Sequence, residues 1–427
     1  MFKSVLLFFC FPVLMQAQNI QHIGQLFDSL KTHPLTLGDD IATQQVLAYK
    51  SLAYSKLYPT VEGFGRYEYA SNPTAMLPVP PDELFALKAD PTIGQPFSEN
   101  IYRIGAVVSI PLFMKSIYTA ASMAKMMVQS AKEKAEINLL KNEAVLVSLN
   151  ANLSYIESVQ QALKSKKNSL MKTKEFVEIK VNNGRTSGDA LLKINNAVNE
   201  VLVLQNDLDL QREEVISTIA SYTGVTLTQA MAMEQVGNYQ SDEMRALNPL
   251  IDKLKADNLA IRAEKEKLLP SLLAQGSYSN NFAEAYNNKS NVNNHYTTVG
   301  VILRVPIFAA DQYVQIRKSR LELEATNNEL DKTRLELTSQ ATQLQNSLPL
   351  IDNSIHLYDN SIKDKKALLE IAKIGYKSEQ ITMEDYLRYE DDVVLEQSKL
   401  LKSQSQKWQT LMKLAVIYGN KIEEIVK

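Results

Sequence analysis

Ser109-Ile110-Pro111-Leu112-Phe113 returns later in the chain as Arg304-Val305-Pro306-Ile307-Phe308, with Pro306 standing 195 positions after Pro111. The same offset carries Gly184-Arg185-Thr186-Ser187 onto Glu379-Gln380-Ile381-Thr382, and Ser221-Tyr222-Thr223-Gly224 onto Val416-Ile417-Tyr418-Gly419. A register held over more than a hundred residues means two copies of one structural unit, and a repeat of this kind sets the architecture before any single residue is weighed.

Working outward, prolines bracket the parts that are not helix. Pro59 (Leu57-Tyr58-Pro59-Thr60) matches Pro270 (Leu268-Leu269-Pro270-Ser271), as Pro111 matches Pro306. Proline lacks an N–H and fixes φ, so it ends or begins helices. Between the prolines the sequence alternates. Tyr102, Ile104, Ala106, Val108 and Ile110 share one face, with Arg103, Gly105 and Ser109 on the other; Val299, Val301, Leu303 and Val305 do the same against Thr298 and Arg304. Period-two alternation predicts strands at about 60–70, 101–110, 271–280 and 297–305. Residues 71–100, with six of the 14 prolines, and the asparagine-rich 281–295 read as exposed hairpin loops.

The remainder reads as helix. No proline or glycine interrupts Leu112 to about Lys180, and such a helix would span roughly 100 Å. The matching stretch, Ile307 to about Lys377, contains Gly375 and Pro349, and a kink or local distortion is expected at Pro349. Thr186 with Asp189, and Thr382 with Asp385, have the spacing of an N-cap and an acidic third helical position. Seven-residue spacings follow, Ile194-Val201-Leu208-Val215-Tyr222 and Leu387-Val394-Leu401-Trp408-Ala415, which predict coiled-coil seams. A shorter helix is expected from about Gln21 to Lys56 and another from Asn248-Pro249 to Leu269. The domain plan is thus residues 1–17 as a signal peptide, 18–224 as the first repeat, 225–248 as a less regular link and 249–427 as the second repeat.

The signal peptide rests on Lys3, the apolar run Val5–Met15 and Gln16-Ala17-Gln18. That run is shorter than the ~20 residues of a spanning helix. The chain's one cysteine, Cys10, lies inside it, so the mature protein can have no disulfide or thiolate site. With 46 basic and 48 acidic residues, nothing suggests a nucleic-acid partner. His22, His33, His295 and His356 have no metal spacing, and Met123, Met126 and Met127 read as helix packing rather than soft-metal handling. There is no nucleophile–base motif, phosphate-binding glycine loop or zinc signature; neither an enzyme nor a cofactor is expected.

Two copies supply four strands, which cannot close. In lipid an open edge leaves backbone groups unpaired at several kcal/mol each, so other copies of the chain must complete the barrel. Two chains give eight strands and a filled interior; three give twelve and a water-filled bore. The inward charges Glu62, Arg66, Glu68, Arg103 and Arg304 need that bore to be wet. The tyrosines near the strands (Tyr58, Tyr67, Tyr69, Tyr102, Tyr118, Tyr278, Tyr286, Tyr296 and Tyr313) suit the aromatic girdles of a membrane barrel.

On the duplicated unit, the four prolines, the paired hairpins and the turns Gly184–Asp189 and Glu379–Leu387, the chain resembles the TolC-like outer-membrane efflux family over essentially its whole mature length. That family's turn often reads glycine, then Ser/Thr three later, Asp six later and Leu eight later. The first copy has Gly184, Ser187 and Leu192, but Asp189 comes one place early, with Ala190 at the usual spot. The second has Thr382, Asp385 and Leu387, with Glu379 in place of the glycine. The resemblance implies a mainly α protein with a small β-barrel part: a homotrimer with a twelve-stranded outer-membrane barrel and a periplasmic α-helical tunnel of coiled-coil helices. It implies an exit duct for a tripartite efflux or type I secretion system in a Gram-negative bacterium, partnered by a periplasmic adaptor (membrane fusion) protein and an inner-membrane pump or secretion ATPase. Gly184, Arg185, Ser187, Gln380 and Thr382 would meet the adaptor; Asp189, Glu379, Glu384 and Asp385 would be gate acids; Pro59, Pro111, Pro270 and Pro306 would mark the barrel–helix junctions. An exported structural coiled-coil protein without a pore is the alternative.

Overall fold

A computed structural model describes residues 22–79, 90 and 92–427. The expected signal peptide, Cys10 and part of the first long loop lie outside the described residues. The elements are α1 (Ile23–Thr32), α2 (Pro34–Ser55), β1 (Thr60–Ala75), β2 (Phe97–Phe113), α3 (Lys115–Asn182), α4 (Gly188–Thr223), α5 (Asn248–Glu266), β3 (Ser271–Glu284), β4 (Asn291–Arg304), α6 (Ala310–Lys377) and α7 (Met383–Tyr418), with short 3-10 turns at Arg245–Leu247 and Ile422–Glu424. The duplication is visible in the bounds: α6 and α7 begin and end 195 positions after α3 and α4.

The chain divides into two compact units. Among the described residues, the first comprises 22–42, 132–248 and 331–427; the second comprises 43–79, 90, 92–131 and 249–330. Each draws on both sequence repeats.

In the first unit, Ile23, Leu26, Phe27 and Leu30 of α1 are all buried, in a core with Leu146, Leu153 and Ile156 of α3, Ile219 of α4 and Met412 and Ala415 of α7. The i, i+3, i+4, i+7 spacing of the α1 residues puts them on one helical stripe. The link after α4 is irregular and is held by backbone pairing to the C-terminal segment: Val236 N–H donates to Ile425 (2.9 Å) and Lys427 N–H to Glu234 (3.1 Å). Asn150, fully buried, clamps Met231, its amide donating to the Met231 carbonyl (2.9 Å) and its oxygen accepting from the Met231 N–H (2.8 Å). The heptad seams pack as expected: Ile194, Val201, Val215 and Ala415 are buried, and Leu208, Leu387, Val394, Leu401 and Trp408 pack against the cores.

In the second unit, the four strands form one antiparallel sheet in the order β1-β2-β3-β4. Pro59 and Pro270 stand immediately before β1 and β3, and Pro249 lies at the start of α5, where its missing N–H costs nothing.

Several expectations are corrected. The helix expected over 21–56 is two helices: His33, preceding Pro34, is extended (φ −76°, ψ 147°), because the proline ring disfavours the helical conformation before it. Pro111 does not end its strand. β2 runs on to Phe113 through an irregularity between Pro111 and Phe113, the place where a strand tolerates a residue with no N–H, and α3 therefore starts later than Leu112. The strands are longer than predicted. Residues 281–284 and 291–295, assigned to a loop on their asparagines, form ladder pairs, Asn281 with Asn294 and Phe282 with Asn293, and 71–75 and 97–100 are likewise strand. Ser187, not Thr186, caps α4; it stands 195 positions before Thr382, the cap of α7.

Candidate functional site

In the first unit, α3–α4 and α6–α7 each turn back through the same construction. After α3 the Gly184 N–H donates to Val181 (2.9 Å) and the Arg185 N–H to Lys180 (2.9 Å); after α6 the Glu379 N–H donates to Tyr376 (3.2 Å) and the Gln380 N–H to Gly375 (2.8 Å). Such a C-terminal lock requires one left-handed residue. Gly184 supplies it at φ 69°, and Glu379 at φ 62°, a conformation unusual for a residue with a side chain. The following helices are capped by side chains: Ser187 Oγ accepts from the Asp189 N–H (3.4 Å) and Thr382 Oγ1 from the Asp385 N–H (3.1 Å).

All four expected gate acids lie at these turns, each within ion-pair distance of a basic residue. Two tie the turns together: Lys180 donates to Glu379 (2.6 Å) and Lys193 to Glu384 (2.6 Å). The other two serve their own helix: Asp189 accepts from Ser187 and lies 3.7 Å from Lys193, while Asp385 accepts from the Thr382 hydroxyl (2.7 Å) and pairs with Arg388 (3.0 Å). The Ser187 hydrogen bond holds the Asp189 carboxyl below its usual range, and the Lys180 hydrogen bond does the same for Glu379.

Sequence reasoning missed the groups behind these acids. The Lys180 ammonium sits 4.9 Å from the Phe176 ring centre and 6.0 Å from that of Tyr376. Tyr376 stacks on Tyr386 (5.4 Å), whose hydroxyl donates to Glu390 (2.7 Å); Ser169 also donates to Glu390. Burial, then the Glu390 hydrogen bond, pushes the Tyr386 phenol up to about 12. The repeat held a usable signal. Tyr376, Tyr386 and Glu390 stand opposite Val181, Leu191 and Asn195 in the other copy, so the duplication is broken where the aromatic network was added.

In the second unit, the sheet register sorts the strand residues onto two faces. Cross-strand partners share a face. The pairs Arg66–Arg103, Glu68–Ile101, Arg103–Asn281 and Ser271–Arg304 put all five expected lumen charges, Glu62, Arg66, Glu68, Arg103 and Arg304, on one side, with Gln275, Ser277, Ser279 and Asn294. Arg66 (2.5 Å) and Arg103 (3.2 Å) both pair with Glu68. The opposite face carries Val61, Ile104, Val108, Leu272, Val299, Val301 and Leu303, with Val299, Val301 and Leu303 at 86%, 63% and 64% exposure. Tyr67, Tyr102 and Phe282 form a cross-strand aromatic row on that face, with ring centres 5.0 and 5.5 Å apart. Tyr69 and Tyr278 share the apolar face, whereas Tyr296 lies on the charged one. Among the described residues, β1 and β4 each have a neighbour on one side only.

Among the described residues, no group of three His, Cys, Asp or Glu side chains gathers to hold a metal. No helix among them is long and apolar enough to cross a membrane.

No protein-family model matches the chain, and no curated protein matches it. Solved structures do. The chain is similar to the CmeC outer membrane channel of Campylobacter jejuni (16% identity, 93% of this chain and 85% of that one, TM-score 0.75). It is also similar to the outer membrane protein VceC of Vibrio cholerae (12%, 93% and 96%, TM-score 0.77) and to the open state of the MtrE outer membrane channel of Neisseria gonorrhoeae (13%, 95% and 90%, TM-score 0.73).

Proposed function

We propose that the chain, which has the fold of the TolC-like outer-membrane channels, is itself an outer-membrane exit duct that conducts cargo passively from the periplasm. The observation that carries this reading is the sheet: four strands, one exposed apolar face with an aromatic row, one charged face, and two unpaired edges. An apolar outward face is compatible with lipid, and backbone groups at an edge are not, so closure by further copies satisfies both. Three copies make twelve strands around a wet bore, which accommodates Glu62, Arg66, Glu68, Arg103 and Arg304.

In this reading the α3–α4 and α6–α7 turns form the periplasmic mouth. Gly184, Arg185, Ser187, Gln380 and Thr382 present the surface to an adaptor, which links the duct to an inner-membrane pump or secretion ATPase. The gate is a set of clamps rather than a bare acidic ring. Lys180–Glu379 and Lys193–Glu384 hold the two turns of one chain together, with Asp189 and Asp385 bracing the helix starts.

Native mass spectrometry of the detergent-extracted full chain tests the assembly. Three copies per particle are expected. Two copies would exclude the twelve-stranded barrel, and a monomer stable without detergent would favour a structural coiled-coil protein.

A further inference from the structure

Helices α3, α6 and α7 leave an open groove of about 570 Å³ within the first unit. That volume is in the range of sites for drug-sized ligands. Val145, Leu149, Leu337, Met412, Val416 and Ile417 are the large apolar side chains of its lining. Lys141 and Lys413 are its charged lining residues, and no Asp or Glu lines it. Both lysines are exposed, and neither has an ion-pair partner among the described residues.

The groove also has a direction. Gln409, Lys413 and Val416 recur at i, i+4 and i+7 on α7. At about 100° per residue, Lys413 stands roughly 200° round the helix from Leu411. Leu411 and Ala415 are buried in the core that includes α1 and the C-terminal segment. The Lys413 side of the groove is therefore turned away from that cover, while Ala144 and Met412 in its lining belong to the same core. In the duct reading, on which this inference rests, that side is the bore.

We propose that the groove is a transit site for an amphipathic anion, a medium-chain carboxylate whose apolar body lies along the six hydrophobic side chains and whose headgroup sits between Lys141 and Lys413. The lining selects for this chemistry. An organic cation meets two like charges and no carboxylate. A neutral amphiphile gains the apolar contact but no headgroup partner. A small inorganic anion gains only two solvated lysines, a weak interaction screened by salt.

The test uses the full chain in nanodiscs of neutral lipid, radiolabelled dodecanoate and equilibrium dialysis, alongside conductance in planar bilayers. Saturable dodecanoate binding is expected, weakened by about tenfold in the Lys141→Gln/Lys413→Gln double variant. Binding should be kept in Lys141→Arg/Lys413→Arg and left unaffected by competing dodecyltrimethylammonium. Dodecanoate should also reduce the conductance of the wild type but not of the Gln variant, whose unfolding midpoint serves as the folding control. Non-saturable uptake, equal competition by the cation, or unchanged affinity in the Gln variant overturns the site. If the protein conducts while any of these holds, the duct reading survives and the transit site does not. Saturable binding with no conductance in any sample overturns the transit role together with the duct.

Discussion

Gly184 and Glu379 hold the same left-handed place in the two copies, and only one of them is glycine. Gly224 and Gly419, at φ 72° and 66°, close α4 and α7 in the same way. At such a position a side chain costs about 1–2 kcal/mol. Gly224→Ala should therefore lower stability by that amount in denaturant unfolding. Gly188→Ala, at the first position of α4 with open space around it, should be neutral or slightly stabilising; equal losses at the two sites would contradict the conformational argument. Glu143 makes a pH-dependent contribution. Burial, and then the negative charge of Glu423, pushes its carboxyl up to about 7 from the ordinary 4.5, while Lys31 acts in the opposite direction. Below 4.5 the group is protonated in both the folded and unfolded chain and contributes nothing to the pH slope. Between 4.5 and about 7 only the unfolded chain releases the proton, so stability falls as pH rises through this window and stays lower above it. Unfolding of Glu143→Gln measured from pH 4.5 to 8 should lack this loss. A slope identical to that of the wild type would mean that Glu143 ionises normally.

At the scale of elements, the helices were legible because their signals are local. Cap, acidic third residue, left-handed glycine and seven-residue spacing all sit within a few residues of the feature they set. Thr186 has the capping-box spacing to Asp189, but the 195-residue offset from Thr382 points to Ser187, which caps α4. Thr382→Ala should cost about 1 kcal/mol in unfolding, and Thr382→Ser should cost little. Strand lengths were less legible. Asn281, Asn293 and Asn294 have weak intrinsic preference for strands, yet they pair because the ladder propagates from the apolar pairs Leu272–Leu303 and Ala274–Val301. The two faces, by contrast, followed from alternation alone. Val301→Arg on the apolar face should cost about 2–4 kcal/mol at the middle of a bilayer and reduce the assembled fraction extracted from membranes. Thr298→Arg on the charged face should leave assembly intact. Equal effects would remove the assignment of the apolar face to lipid.

Over the whole molecule, the duplication made the architecture legible, and its departures mark what it could not convey. Equal bounds for α3 and α6, and for α4 and α7, follow from one register held between two copies. The Phe176–Lys180–Tyr376–Tyr386–Glu390 network does not, because contacts between copies have no spacing within either. The same holds for closure: β1 and β4 stand at the two edges of the sheet, and no spacing within one chain says what pairs with them. The central claim is a conducting pore, and purified full-length protein added to a planar lipid bilayer tests it most directly. Discrete, reproducible ion-conducting steps are the predicted result. A protein that stays soluble without detergent and gives no steps at any concentration would contradict it.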